Sequence, residues 1–216
     1  MRNAIKICGI TTPESFASAL RAGATHAGFV FFPASPRALA PQDAAAIAAQ
    51  APALRAVALT VDASDADLEA ILTHFRPQLL QLHGHETPQR VAQIRSRTGL
   101  GVIKAITLAQ PEDLGTARAF ENVADMLLFD APPAELPGGN GILFDWRLLA
   151  GQKWSRPWFL SGGLKPENAA DAIYQTRPDG VDVSSGVESA RGVKDSARVQ
   201  ALITSARTAY SAIAEV

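Results

Sequence analysis

Two residues stand where a short apolar run stops, and both could move protons. Cys8 closes Ile5-Lys6-Ile7-Cys8 just before Gly9, and Asp130 closes Met126-Leu127-Leu128-Phe129-Asp130. A thiol ionises near pH ~8.5, so a fraction is thiolate at neutrality and can act as base or nucleophile. A carboxyl group partly withdrawn from water can hold its proton and act as a general acid. Each has a plainer reading: a lone cysteine is usually a small buried hydrophobe, and an aspartate commonly caps a helix or turn. Position tells against the plainer readings. Gly9 leaves room beside Cys8, and the Ala131-Pro132-Pro133 that follows Asp130 starts no helix.

Other polar residues follow apolar runs in the same way. Arg37 ends Phe31-Phe32-Pro33-Ala34-Ser35-Pro36-Arg37, a segment stiffened by two prolines. Its guanidinium suits bidentate capture of a ligand carboxylate, although a solvated loop arginine is commoner. His83-Gly84-His85-Glu86 tempts a metal reading, but only three possible ligands lie there and no distant His/Cys cluster completes them. No metal is expected. Ser161-Gly162-Gly163 and Ser184-Ser185-Gly186 are small-residue stretches that follow separate apolar runs. Missing side chains let a phosphate approach backbone N–H groups, and serine hydroxyls add donors. Gly138-Gly139-Asn140-Gly141 would suit either a plain turn or a loop that rearranges over substrate.

These residues need a frame that puts strand ends together. Eight β-branched or aliphatic runs recur: 5–8, 27–32, 54–61, 78–82, 102–106, 125–129, 158–160 and 180–183. They are mostly apolar without strict alternation, as expected of parallel strands covered on both faces. Ala-rich segments with helix-start signals lie between them. Thr12-Pro13-Glu14, Asp43, Ser64, Thr87-Pro88, Pro111-Glu112-Asp113, Phe144-Asp145-Trp146 and Lys165-Pro166-Glu167 open seven, and 195–214 reads as a long final helix. Eight βα units in about 200 residues predict a single-domain α/β fold, a (β/α)8 TIM barrel over residues 1–216, whose chemistry lies at the strand C-termini. A doubly wound sheet is the rival, but Cys8-Gly9-Ile10-Thr11-Thr12 is not a GxGxxG turn. In a barrel, the two small-residue stretches fall after strands seven and eight, where phosphate is frequently bound.

Composition narrows the partner. The chain has 216 residues, 47% hydrophobic, with formal net charge −1. Disorder is excluded, and no basic surplus exists to favour nucleic acid. A single cysteine excludes a disulfide scaffold and favours a reducing cytoplasm. Neither a signal peptide nor a run of roughly 20 apolar residues is evident, so no membrane partner is expected. A small molecule is the expected ligand, and the chain is expected to be a monomer or homodimer.

Taken in order, Lys6-Ile7-Cys8-Gly9-Ile10-Thr11, Ser35-Pro36-Arg37, Gln81-Leu82-His83-Gly84, Leu128-Phe129-Asp130, Gly138-Gly139-Asn140-Gly141, Ser161-Gly162-Gly163 and Asp182 to Glu188 resemble the phosphoribosylanthranilate isomerases of tryptophan biosynthesis. The resemblance spans nearly the whole chain. It implies a single barrel without cofactor that performs an Amadori rearrangement of N-(5-phosphoribosyl)anthranilate. It gives Cys8 the general-base role and Asp130 the general-acid role. It puts Arg37 near the anthranilate carboxylate and His83 among the substrate-binding residues. Gly162, Gly163, Asp182, Ser184 and Ser185 would line the phosphate pocket. Asn140 and Ser161 depart from the Thr and Ala usual in the family.

Three rivals are weighed against this. An indoleglycerol-phosphate synthase would rely on Lys and Glu at strand ends; Lys6 and Lys104 are available, but no Glu ends a strand. A histidine-pathway sugar isomerase would carry carboxylates near the places taken by Cys8 and Lys104. A barrel that only binds a phosphorylated ligand would leave Cys8 and Asp130 unexplained.

Overall fold

A computed structural model describes residues 3–132 and 145–214. Eight parallel strands close into a barrel in chain order: β1 Ala4–Cys8, β2 His26–Val30, β3 Arg55–Thr60, β4 Leu79–Leu82, β5 Gly101–Thr107, β6 Met126–Asp130, β7 Trp158–Leu160 and β8 Gly180–Val183. The ring closes where β1 pairs with β8, setting Lys6 opposite Asp182. Helices cover the outside: α1 Pro13–Ala22, α2 Pro41–Ala48, α3 Asp65–His74, α4 Pro88–Thr98, α5 Asp113–Arg118, α6 Ala169–Thr176 and α7 Ser196–Ala214.

Local chemistry explains the helix starts. The Thr12 side chain accepts from Ser15 N–H, Ser64 from Asp67 N–H and Thr87 from Arg90 N–H, so each supplies an acceptor for an otherwise unpaired donor. Pro13, Pro41 and Pro88 sit in first turns, where a missing N–H costs nothing. The helix expected from Asp43 starts two residues earlier at Pro41; Ala40 is the cap residue, and Asp43 lies in the first turn. The segment opened by Lys165-Pro166-Glu167 first makes a turn and becomes helical at Ala169. The unit expected from Phe144-Asp145-Trp146 is a short 3₁₀ turn, Trp146–Leu149, capped by Asp145. Phe144 and the Gly138-Gly139-Asn140-Gly141 stretch lie outside the described residues.

Alternation along the strands separates two cores. Ala4, Val57, Ile103, Ala105, Leu128 and Phe159 fill the barrel interior. Ile5, Ile7, Phe29, Leu80, Leu127 and Val181 face outward and pack with helix residues such as Phe16, Ile94, Ile173, Leu202 and Ile203. The same alternation turns Lys6 and Cys8 inward and leaves the C-terminal strand ends to form the mouth.

One element has no counterpart in the sequence reading. The segment after β8 passes through a 3₁₀ turn, Ser185–Val187, into an antiparallel hairpin of β9 Glu188–Ala190 and β10 Val193–Lys194.

Candidate active site

β1 carries two functional groups inward, two residues apart. Lys6 is fully buried, and its Nζ lies 2.9 Å from Asp182 Oδ1. Cys8 is buried above it. The two converge over Gly28 of β2, where a Cβ would sit 2.8 Å from Cys8 Sγ and 3.0 Å from Lys6 Nζ. A side chain there would occupy the space between thiol and ammonium. Burial pushes the Cys8 thiol up from its ordinary value, while the Lys6 ammonium works in the opposite direction. For Lys6, burial opposes the charge, but attraction to Asp182 and to Cys8 outweighs it and raises the pKa.

Asp130 ends β6 and remains partly exposed at the mouth. Its Oδ1 accepts from the Ala131 N–H at 2.9 Å, and its Oδ2 lies 3.2 Å from His83 Nε2. His83 Nδ1 lies 3.0 Å from the Gln81 amide nitrogen, so an amide donor there leaves the ring proton on Nε2, the nitrogen nearer Asp130. Phe32, His83, Thr107 and Asp130 line part of a cavity of about 770 Å³. β6 lies three places from β1 around the eight-strand ring, with β7 and β8 between, so acid and base candidates enter the mouth from well-separated sides.

The other members of the His83-Gly84-His85-Glu86 stretch are committed elsewhere. His85 is exposed and pairs with Asp62 at 3.2 Å. Glu86 is buried and pairs with Lys104 at 2.7 Å. Lys104 also donates to the carbonyls of Leu82 and Gly84, so all three ammonium protons hold the loop after β4. That use leaves no free lysine from β5 for the carbon–carbon bond-forming rival.

Arg37 packs over Gly9, where a Cβ would collide with the arginine stem. Its Nε and Nη2 donate to Glu188 Oε1 and Oε2, each at 2.7 Å. Glu188 and Lys194 were missed as site residues because the sequence alone did not show the hairpin. The available signal was Gly192 between them, a turn residue at φ 85°.

Gly162 and Gly163 follow β7 with φ 79° and 69°. A Cβ on Gly162 would collide with the Ala131 backbone, so the loop after β7 can lie against the end of β6 only without a side chain there. The N–H groups of both glycines have no partner among the described residues. Ser184 and Ser185 follow β8, with Ser185 exposed in the adjacent turn. These four residues come together as two neighbouring loops. Asp182 does not join them. It is buried in β8 and faces Lys6, and a carboxylate brings negative charge and no donor to a phosphate. Its carboxylate is engaged in a barrel-interior ion pair.

The chain matches the family model described as N-(5'phosphoribosyl)anthranilate (PRA) isomerase over residues 5–205. It is 53% identical over 210 residues to N-(5'-phosphoribosyl)anthranilate isomerase of Paracoccus denitrificans, covering 95% of this chain and 98% of that one. Phosphoribosyl anthranilate isomerase from Thermotoga maritima superposes with TM-score 0.87 at 34% identity, covering 96% of this chain and all (100%) of that one. A phosphoribosyl anthranilate isomerase solved in complex with reduced 1-(o-carboxyphenylamino)-1-deoxyribulose 5-phosphate superposes with TM-score 0.82 at 32% identity, with 96% and 100% covered.

Proposed function

The chain belongs to the N-(5'-phosphoribosyl)anthranilate isomerase family, and from that premise we propose that Cys8 and Asp130 carry the proton transfers of its reaction. The activity is the Amadori rearrangement of N-(5-phosphoribosyl)anthranilate to 1-(2-carboxyphenylamino)-1-deoxyribulose 5-phosphate in tryptophan biosynthesis, an aldose–ketose isomerisation. Asp130 gives a proton to the furanose ring oxygen as the C1–O bond breaks, and the anthranilate nitrogen lone pair forms an iminium. That cation acidifies the C2 proton, which the Cys8 thiolate removes. The resulting enolamine tautomerises to the ketone, so atoms and charge balance without an external reagent. Each positioned proton transfer contributes typically about 10²- to 10⁴-fold.

The observation that carries this reading is the placement of Cys8 and Asp130 on well-separated strands of one barrel mouth. His83, with Nε2 3.2 Å from Asp130 Oδ2, sits beside the acid on the substrate side. Arg37 takes the anthranilate carboxylate. Gly162 and Gly163 supply N–H donors, and Ser184 and Ser185 supply hydroxyls, to the phosphate. Because the phosphate is remote from the reacting bonds, its binding energy holds the sugar between acid and base.

Asp130→Asn is expected to reduce kcat by about 10³-fold or more, with KM within a few-fold of the parent, measured by the loss of substrate fluorescence. Cys8→Ala is expected to behave the same way. Wild-type kcat in either variant removes that residue from the mechanism.

The whole chain acts as one domain in a cytoplasmic setting. Among the described residues, no helix is long and apolar enough to cross a membrane. Molar mass from light scattering decides between monomer and homodimer.

A further inference from the structure

Glu188 opens the hairpin after β8, and its side chain is almost wholly withdrawn from water. One carboxylate gathers donors from three places. Arg37 reaches both oxygens at 2.7 Å, Lys194 Nζ reaches Oε1 at 2.7 Å, and the Gly192 N–H reaches Oε2 at 3.0 Å. Lys194, also buried, donates in addition to the Ser184 carbonyl at 3.0 Å and lies 3.3 Å from the Ser184 hydroxyl.

The geometry divides the guanidinium. Glu188 occupies the edge formed by Nε and Nη2. Nη1 makes no hydrogen bond among the described residues, and Nη2 has a second proton. The opposite edge, Nη1 with Nη2, remains available for a second bidentate carboxylate. Charge points the same way. One anion among two cations leaves the cluster at +1, so pairing with Glu188 does not neutralise the site for an incoming anion. Burial alone would raise the Glu188 pKa, but hydrogen bonds from Arg37 and Lys194 hold it down at about 2, so it stays ionised throughout the neutral range.

We propose that Glu188 is a positioning residue for the isomerase reaction: it fixes the Arg37 guanidinium edge-on so that the free edge meets the substrate carboxylate, while Lys194 supplies the compensating positive charge. This rests on the reading that Arg37 takes that carboxylate. A long arginine loses considerable side-chain entropy when it is ordered by a ligand. Ordering it in advance on a buried partner removes that cost from the binding step.

The test compares Glu188→Gln and Arg37→Gln with the parent, using N-(5-phosphoribosyl)anthranilate as substrate and ribose 5-phosphate, which lacks the carboxylate, as competitive inhibitor. Glu188→Gln is expected to raise KM about tenfold or more with kcat little changed, and to raise the ribose 5-phosphate Ki less than about threefold. Parallel rises in KM and Ki would mean a general disturbance of the mouth and would overturn the proposal. An unchanged KM in Glu188→Gln beside a raised KM in Arg37→Gln would overturn the positioning role alone. An unchanged KM in Arg37→Gln would remove the carboxylate reading beneath it. Should Glu188→Gln not fold, Glu188→Asp keeps the charge but shortens the reach, and must show the same KM-against-Ki split.

Discussion

Cys8 is held between opposed influences: burial favours the neutral thiol, and the Lys6 ammonium beneath it favours the thiolate. The net shift is upward, and the thiolate is the active form. The rising limb of kcat/KM with pH, and of Cys8 alkylation by iodoacetamide, is therefore expected above the ordinary thiol value of about 8.5. Lys6→Met should move that limb further alkaline. It also strands the Asp182 carboxylate in the barrel, so unfolding free energy should fall by about 3–5 kcal/mol in urea titrations. An alkylation profile that does not move in folded Lys6→Met would show that Lys6 serves only the ion pair. The sequence put Lys6 and Cys8 on one face of a strand. It could not say what Lys6 pairs with, because Asp182 lies 176 residues away.

The loops after β7 and β8 depend on missing side chains in unequal ways. Gly162 and Gly163 both have positive φ, so alanine strains either backbone. Only at Gly162 would the new methyl collide with Ala131; at Gly163 it would meet nothing within 4 Å. Gly162→Ala is therefore expected to cost about 1–3 kcal/mol more stability than Gly163→Ala, by thermal or urea unfolding. It should also raise KM more, because the loop that receives phosphate is pushed from the β6 end. Equal effects would mean that crowding at Ala131 does not matter. The two small-residue stretches were legible in sequence. The hairpin that follows them was not, since its strands span only three and two residues and carry too little periodicity to register.

The barrel as a whole carries an acid-sensitive group at the end of the ring opposite the mouth. His26 begins β2 with 2% of its surface exposed. Burial, reinforced by Lys6 and Arg55, lowers its pKa to about 4. The folded chain thus binds fewer protons there than the unfolded chain between the unfolded value of about 6.5 and about 4. Its contribution is complete above the upper value and is lost as pH falls through that window, amounting to about 3 kcal/mol in all. His26→Gln should flatten the dependence of Tm on pH across that window, and an unaltered slope would assign the acid loss to other groups.

Strand and helix alternation, helix starts at Thr12, Ser64 and Thr87, and the placement of Cys8 and Asp130 at strand ends were all determined by residues close in sequence. Hydrophobic period and capping act over a few residues, so a linear reading reaches them. Tertiary structure alone decided that Asp182 pairs with Lys6, and that Arg37 is held by Glu188, 151 residues away. Such pairs depend on barrel closure and on the register between β1 and β8. A buried charge takes whichever opposite charge the closed ring brings within reach, and no local pattern encodes that choice.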